Sequence, residues 1–407
     1  MTEFPQRAVR LAALFCISAA LLTACKDRDA SIVSALAPKD MAAIGKAAFF
    51  DASLSGSGKQ SCASCHNPAN AYGPENDLSV QPGGPNMDRY GMRAAPSLRY
   101  LRSVPYWTFT QASSMKERIE DSDNRPSGGY TWDGRFNSPA DQAAFPLLNQ
   151  DEMANADAAA VTAKLSKSTY AQQFRDVFGQ DVFTRPEEAL ADLGKALQAF
   201  QFNDPTFAPY SSKFDKVLDG KAEFTPQEAR GLKLFSDGDK GNCASCHLID
   251  KGANGAHPVL TDYNFQSLGV PRNMDIPANR NSNFYDLGLC GPLRTDESNQ
   301  KWFCGMFRTP TLRNVASRGA FFHNGVVHSL EDAIRFYVER DTNPDRWYPK
   351  GDKFNDLPRD LRSNVDTKTE PMTNHKGGKP IWSDADIKDV MAFLKTLTDS
   401  DIRHLSH

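Results

Sequence analysis

Histidine and long apolar segments are scarce in this chain, and both shortages restrict the kinds of site and membrane attachment that it can have. Its eight histidines include none between His66 and His247, so half of the chain has no spare imidazole. The apolar run 11–22 is too short to cross a bilayer as a helix. No long segment alternates β-branched with polar residues, which predicts helix and loop rather than sheet. The net charge of −3 offers no basic footprint, so no nucleic-acid partner is expected.

The N-terminus has the pattern of an export signal. Arg7 and Arg10 precede the short apolar run, as in a signal peptide. The run ends Leu-Thr-Ala-Cys at 22–25, which resembles a bacterial lipobox and predicts a lipidated Cys25. Ordinary cleavage near Ala24, with Cys25 incidental, is the alternative. Both interpretations predict a periplasmic protein, and the first adds attachment to a bacterial membrane by the lipid anchor only.

Two identical pentapeptides, Cys-Ala-Ser-Cys-His, occupy 62–66 and 243–247. CxxCH is the attachment sequence of c-type haem, in which two thiols bind the vinyl groups and the histidine binds the iron. A redox CxxC or half a zinc site is the alternative, but zinc ribbons bring their pairs within about 20 residues. The sequence therefore predicts two covalently bound haem c groups, held by these residues: Cys62, Cys65, His66, Cys243, Cys246 and His247.

The two halves repeat one plan around the pentapeptides. A helix precedes each of them, and the second begins at a capping box at Thr225. Pro-Ser-Leu-Arg at 96–99 matches Pro-Thr-Leu-Arg at 310–313, and each half ends in an amphipathic helix, after Pro186 or Ser383. The repeat predicts a mainly α fold with two cytochrome-c-like haem domains and long loops. The predicted segments are a lipoprotein signal peptide (1–24), a tether (25–40), an N-terminal haem domain (41–205), a linker (206–224) and a C-terminal haem domain with a tail (225–407).

The remaining cysteines and the methionines bear on redox state and iron ligation. Cys290 and Cys304 are left over in an exported chain, which predicts a disulfide, since nearby partners for a metal site are lacking. A haem with a vacant sixth position can bind peroxide or oxygen. The first half has no second histidine, so we expect an open iron there. Four methionines are the alternative ligands: Met87, Met92, Met115 and Met153.

A second motif carries a family resemblance. Gln142, Pro146 and Glu152 follow Trp132 at offsets of ten, fourteen and twenty. With the paired CxxCH motifs, this register resembles the bacterial di-haem cytochrome c peroxidase family, and within it the MauG branch. The resemblance implies that Trp132 relays electrons between the haems and that Gln142 and Pro146 shape the distal pocket. It makes Glu152 the acid–base group above the open iron; otherwise Glu152 is a solvated carboxylate.

The second ligand of the second haem distinguishes the branches of this family. Peroxidases of the family that accept electrons from a small cytochrome carry an axial methionine in a late helix, whereas the MauG branch carries a tyrosine. Tyr337 occupies that place in the segment 329–337. A phenolate ligand favours ferric and higher iron states, which suits storage of oxidising equivalents. A core aromatic is the alternative for Tyr337, and His323 and His328 are rival ligands.

Three departures from the family pattern alter what is expected. The family often binds Ca²⁺ between the haems, but Tyr100 replaces an expected asparagine and 318–320 replaces Thr-x-Pro, which weakens the prediction of calcium. MauG has a surface tryptophan two residues before its second CxxCH, where this chain has Gly241. Another exit for the oxidising equivalent is therefore needed. Three tryptophans are candidates for this exit, although only their aromatic character supports them: Trp107, Trp302 and Trp347.

The leading hypothesis is a MauG-type oxidoreductase that uses H₂O₂ and a high-valent haem pair to oxidise a partner protein at long range. The tail 336–349 resembles a MauG subgroup that is paired with a periplasmic copper-binding partner, as in methanobactin clusters, and converts a partner tryptophan to kynurenine. One alternative is a cytochrome c peroxidase that reduces H₂O₂ with electrons from a small cytochrome c. The other is a non-catalytic electron-transfer lipoprotein.

Overall fold

Helices and loops make up most of the chain, as the sequence predicted. The computed structural model describes residues 39–109, 125–373 and 377–402. Within them the α-helices are α1 Lys39–Phe49, α2 Cys62–Cys65, α3 Pro139–Leu148, α4 Ala158–Leu165, α5 Ala171–Phe178, α6 Pro186–Asn203, α7 Lys213–Leu218, α8 Pro226–Ser236, α9 Leu330–Glu339, α10 Pro344–Trp347 and α11 Asp384–Lys395. Strands in these ranges form two antiparallel pairs, β1 Pro82–Gly83 with β2 Arg89–Tyr90 and β3 Phe265–Gln266 with β4 Phe307–Arg308.

Several short 3₁₀ helices connect these elements. They are Ala52–Leu54, Pro68–Asn70, Val182–Thr184, Pro205–Phe207, Cys243–Ser245, Pro277–Arg280, Lys301–Phe303, Val315–Ser317 and Arg359–Asn364. The second pentapeptide therefore begins in a 3₁₀ turn, whereas the first begins in the α-helical turn α2.

Side-chain caps fix where the main helices begin. The predicted capping box at Thr225 is present, with its hydroxyl accepting a hydrogen bond from the Glu228 amide. Ser383 caps α11 in the same way, through the Asp386 amide. Such caps satisfy amides that have no partner inside the helix. The two helix starts predicted from these caps are confirmed.

One helix pair in each half is held close by a glycine. A Cβ added to Gly45 of α1 would lie 1.9 Å from the Ala196 carbonyl oxygen of α6. A Cβ added to Gly231 of α8 would lie 2.0 Å from the Asp389 carbonyl oxygen of α11. Both crossings therefore require a residue without a side chain. The two halves use the same way of joining the helix before the pentapeptide to the last helix of that half.

The described residues from Lys39 onward belong to one compact unit that contains two main hydrophobic cores. The first core draws on residues between 44 and 207, and the second on residues between 214 and 397. The predicted linker contains α7, whose Phe214 belongs to the second core. The linker is thus partly packed, and the exact domain boundaries stay a prediction.

The disulfide lies in a smaller core. Cys290 and Cys304 are bonded, with their Cα atoms 5.0 Å apart, beside the buried Phe265 of β3. This is the pair that the sequence predicted.

The predicted signal peptide and Cys25 lie outside the described residues. So do most of the predicted tether and three of the histidines, His375, His404 and His407. Across 39–109, 125–373 and 377–402, none of the helices has both the length and the apolar character that crossing a bilayer requires.

Candidate active site

The histidines of both pentapeptides are oriented by the same kind of backbone hydrogen bond. His66 Nδ1 lies 3.1 Å from the Tyr72 carbonyl oxygen, and His247 Nδ1 lies 3.0 Å from that of Leu260. A protonated Nδ1 donates to such a carbonyl, which leaves the Nε2 lone pair free to bind iron. Burial lowers the pKa of His66 to about 4 and also lowers that of His247. Both rings are therefore neutral near pH 7, as iron ligation requires.

The four pentapeptide thiols are free, and each pair lines a cavity. Burial raises the pKa of Cys62, Cys65 and Cys243 to about 12, so these sulfurs are thiols rather than thiolates. No three His, Cys, Asp or Glu side chains converge on a metal site in the described part of the chain. Free thiols that line a cavity agree with attachment to a macrocycle.

Two arginines in the larger cavity test whether haem fits. Arg308 and Arg318 line this cavity, and neither forms an ion pair with a carboxylate among the described residues. Burial lowers the pKa of both guanidinium groups, that of Arg318 to about 10, and Arg308 Nη1 lacks a hydrogen-bond partner. A buried cation without a counter-ion is costly, and haem carries two propionates that can pair with it. The donor set therefore fits haem.

The smaller cavity, of about 100 Å³, collects most of the residues predicted for the first haem. Its lining includes Cys62, Cys65, His66, Gln142, Pro146 and Glu152. The cap Ser138 starts α3, and Gln142 and Pro146 are four positions apart on this helix, which puts them on one face. Glu152 follows the end of the helix. Trp132 does not line this cavity.

Glu152 lines the smaller cavity, and hydrogen bonds hold both its side chain and its backbone. Its Oε1 accepts a hydrogen bond of 2.7 Å from Asn149 Nδ2, and its carbonyl accepts one of 2.7 Å from the Gly84 amide. The Gln60 side chain also donates to that carbonyl. Burial raises the pKa of Glu152, although the hydrogen bond from Asn149 opposes this. A fixed carboxyl group with a raised pKa can exchange protons near neutral pH.

The methionines do not compete well for the first iron. Met153 lines the smaller cavity, but it is buried as part of the first core. Met87 and Met92 are not in the lining, and Met87 Sδ accepts a hydrogen bond from Ser57. Met115 lies outside the described residues. Among the described lining residues His66 is the one histidine, which favours the expected open iron.

The larger cavity, of about 260 Å³, brings Tyr337 together with the second pentapeptide. Cys243, Cys246, His247 and Tyr337 all line it. Burial raises the pKa of the Tyr337 hydroxyl, and the nearby Cys243 and Cys246 add to this shift. Tyr337 projects from α9, which Ser329 caps. It therefore lies in the same cavity as the second pentapeptide, where a ligand to the second iron is expected.

The rival histidines have other contacts. The His323 ring lines the larger cavity but stacks on Phe307, with their centroids 3.5 Å apart, and its Nε2 lies 3.5 Å from Asp356. His328 is exposed, and both its ring nitrogens lie within hydrogen-bond distance of other groups, the Gly319 carbonyl at 3.3 Å and the Ser79 hydroxyl at 3.4 Å. The contacts of His328 disfavour it as a ligand, whereas the buried His323 Nε2 has no hydrogen-bond partner among the described residues and stays a rival to Tyr337.

Trp132 links the two halves of the chain. Its indole Nε1 donates to the Ala94 carbonyl at 2.8 Å, and its own carbonyl accepts from the Arg308 amide at 2.9 Å. Asp133, the next residue, is fully buried between Arg93 and Arg135. Burial alone would raise the pKa of Asp133, but the two guanidinium groups hold it below its usual value. This network fixes Trp132 in the wall of the larger cavity.

The residues at the family's calcium position do not fit a divalent cation. Tyr100 donates its hydroxyl to the buried Asp399, at 2.8 and 2.7 Å from the two carboxylate oxygens. The Arg318 guanidinium donates to the Ala95 and Ala320 carbonyls, both at 3.2 Å. A cationic side chain thus already binds carbonyls of both halves, where a calcium ion would need free oxygen ligands.

Two residues of the cavity walls with a clear structural role, Gln60 and Trp382, were missed by the sequence analysis. Gln60 supports the Glu152 loop, and Trp382 lines the larger cavity. No local motif marks Gln60. Trp382 immediately precedes the Ser383 cap, which was the one available signal. The predicted exit candidates Trp107, Trp302 and Trp347 do not line either cavity.

Comparisons with known proteins agree with this geometry. Residues 39–223 match the family model described as di-haem cytochrome c peroxidase. The chain is 32% identical to the methylamine utilization protein MauG of Paracoccus denitrificans (strain Pd 1222), over 88% of each chain. It is 30% identical to the cytochrome c551 peroxidase of Nitrosomonas europaea, over 77% of this chain and 79% of that one.

A solved structure extends the likeness to the fold. The diheme peroxidase BthA from Burkholderia thailandensis E264 superposes with a TM-score of 0.82 at 39% identity, covering 90% of this chain and 88% of that chain. Identity and coverage of this size show the family and not only the fold. The chain belongs to the di-haem cytochrome c peroxidase and MauG family, whose members are haem oxidoreductases that act on peroxide.

Proposed function

We propose that this chain is a MauG-type enzyme that uses H₂O₂ and two covalently bound haem c groups to oxidise a partner protein at long range. The observation that carries the proposal is the contrast between the two cavities. Glu152 lies in the cavity of the first pentapeptide, and Tyr337 lies in that of the second. A proton-transferring group beside one haem and a phenolic ligand at the other suit different tasks.

In this proposal the first haem site reduces peroxide. Bound haem c at His66 supplies an iron with a free position for H₂O₂. The Glu152 carboxylate would take a proton from H₂O₂ and return it to the oxygen atom that departs as water. Its raised pKa matches this double role. Gln142 and Pro146 limit the space for other ligands, since both lie in the wall of the small cavity.

The second half stores and forwards the oxidation. Tyr337, as a phenolate ligand, favours the higher oxidation states of a haem on His247. Trp132 lies between the two halves and is hydrogen-bonded to both, which suits the relay role that the family resemblance implies. The substrate then needs no access to either cavity, because electrons can leave it at the surface of the protein.

The partner is a periplasmic protein, and a small copper-binding protein is the first candidate. To test this, the purified di-haem protein and H₂O₂ are incubated with the exported protein that the neighbouring gene encodes. Mass spectrometry of that protein is expected to show a tryptophan converted to kynurenine, and none with Glu152→Gln. An unmodified partner, with H₂O₂ consumed only when a reduced cytochrome is added, would contradict the proposal.

A second candidate function is a peroxidase that draws electrons from a small cytochrome c. The 30% identity to a cytochrome c551 peroxidase favours it. Fast turnover with reduced cytochrome c, preceded by activation through half-reduction, would support this alternative. The proposed MauG-type enzyme instead reacts with H₂O₂ in its fully oxidised resting state.

Lipidation of Cys25 and a periplasmic location are part of the proposal. Together they place the enzyme at a membrane surface, held by acyl chains alone. Radiolabelled palmitate is expected to label the wild-type protein in cells and to leave Cys25→Ser unlabelled. Equal labelling of both would contradict the lipid anchor.

A further inference from the structure

The indole of Trp382 packs against the segment that leads into the second pentapeptide. Gly241 precedes Cys243 by two positions, and a Cβ added to Gly241 would lie 2.2 Å from Trp382 Cζ2 and 2.8 Å from Cη2. The indole thus occupies the space that a side chain at 241 would need. Trp382 also lines the larger cavity together with Cys243 and His247. It therefore lies beside the edge at which a macrocycle would be attached.

The helix framework fixes this position. Trp382 is the residue before the Ser383 cap, so its backbone is set by the first turn of α11. Helix α11 crosses α8 at Gly231, where only a glycine fits. Helix α8 in turn ends at Ser236, shortly before Gly241. The capping box and the glycine crossing together hold the indole in contact with Gly241.

The surroundings of the indole suit a one-electron relay. Trp382 is 4% exposed, whereas the other four tryptophans are only partly buried. Its Nε1 has no hydrogen-bond partner among the described residues. Residues 377–380, just before it in sequence, are exposed, which places the indole close to a surface segment.

The other tryptophans are less suited to this task. Trp132 shares the larger cavity, but it is bonded between the two halves and leads from one to the other. Trp107, Trp302 and Trp347 do not line either cavity. Trp382 alone combines contact with the second pentapeptide and proximity to an exposed segment.

We propose that Trp382 is the residue through which electrons enter the second half from an external reductant. The proposal rests on the proposed function. Trp382 loses one electron toward the cavity and regains one from the reductant, which is the partner protein of the proposed function. Two such cycles, with two protons from solvent, reduce one H₂O₂ to two waters. Without a reductant, the indole gains an oxygen atom from water and loses two electrons and two protons, which gives hydroxytryptophan.

The test uses the complete di-haem protein with H₂O₂ and no reductant, followed by peptide mass spectrometry. Oxidation is expected first at Trp382, the most buried tryptophan, ahead of Trp302 and Trp347. Peroxide diffusing in from solvent would produce the opposite order, since it attacks the more exposed rings first. An order that follows exposure would therefore overturn the proposal, and this measurement on the wild-type chain needs no variant to fold.

Variants add a second readout, with ferrocyanide as the external reductant. Trp382→Phe is expected to lose the hydroxytryptophan product and most of the ferrocyanide oxidation. Trp302→Phe is the matched control and is expected to behave as wild type. If wild type does not react with H₂O₂, the proposed function fails. If it does, and Trp382→Phe oxidises ferrocyanide at the wild-type rate, only the role of Trp382 is wrong.

Discussion

The two halves of the molecule share the hydrogen bond that orients each pentapeptide histidine and differ in other residues that line the two cavities. His66 and His247 have the same carbonyl hydrogen bond, and the pentapeptides around them are identical. Glu152 lies in the first cavity, and Tyr337 lies in the second. The attachment motif alone therefore does not distinguish the two sites. We expect Glu152 and Tyr337 to make that difference.

The scaffold behind each histidine is also shared. Ser97 donates its hydroxyl to the Ala71 carbonyl at 2.6 Å, and Thr311 donates to the Val259 carbonyl at the same distance. Duplicated support of this kind explains why the repeat is visible in the sequence at 96–99 and 310–313.

The halves differ again two positions before each pentapeptide. Gln60 occupies this position in the first half and donates to the Glu152 carbonyl. In the second half the position is Gly241, and Trp382 fills the space beside it. One position thus supports the Glu152 loop in the first half and leaves room for an aromatic ring in the second. The comparison predicts that substitutions in one half affect peroxide chemistry and those in the other affect electron transfer.

The largest expected effect is that of Glu152→Gln. Loss of the proton acceptor should slow the reaction with H₂O₂ by about 10²- to 10⁴-fold, the usual range for a general base. Stopped-flow absorbance at the Soret band measures this rate. Asp141→Asn, an exposed change on the neighbouring α3, is the control and should react at the wild-type rate. A fall of less than about threefold for Glu152→Gln would remove the carboxyl group from the mechanism.

Tyr337→Phe probes the other half. Without the phenol oxygen, the second haem should lose its sixth ligand, and its low-spin ferric signal should become high-spin in electron paramagnetic resonance. Tyr348→Phe removes a buried hydroxyl from the same region, one that donates to the Gly269 carbonyl, and should leave the signals unchanged. An unaltered low-spin signal in Tyr337→Phe would show that another residue binds this iron.

The glycine crossings test whether the two halves share their framework. Gly45→Val and Gly231→Val should each lower the free energy of unfolding by about 1–3 kcal/mol, because either side chain would overlap a facing carbonyl. Gly238→Val is the control, since a Cβ there has its nearest neighbour at 3.9 Å. Denaturant unfolding measures all three. A cost at only one crossing would show that the halves are not equivalent in packing.

A smaller effect is expected in the pH profile. Glu152 must be ionised to accept the peroxide proton, and burial raises its pKa. The rate should therefore fall on acidification at a higher pH than for an ordinary glutamate. The nearby Asp151 carboxylate also raises this pKa, so Asp151→Asn should move the fall to lower pH. A shift to higher pH, or none, would mean that another group titrates.

Local signals in the sequence predicted a large part of this structure. The capping residues Thr225 and Ser383 predicted helix starts, because a cap acts within one turn of chain. The spacing of the motif from Trp132 to Glu152 predicted a pocket. The structure does place Gln142, Pro146 and Glu152 around one cavity. Trp132 turned out to lie in the wall of the other cavity.

Contacts between distant segments were not predictable. Trp382 meets Gly241 only because α11 folds back onto α8, and nothing near either residue encodes that meeting. The packing of Phe214 within the predicted linker depends in the same way on the second core. The absence of a tryptophan at 241 indicated that an exit was missing, but only the three-dimensional arrangement pointed to Trp382.

Electron paramagnetic resonance of the resting, fully ferric protein distinguishes two unlike haem sites from two like ones. Two unlike haem sites predict one high-spin signal, from the open iron beside Glu152, and one low-spin signal, from the iron between His247 and Tyr337. The high-spin signal alone should disappear first when H₂O₂ is added. Two low-spin signals that persist with H₂O₂ would contradict the account.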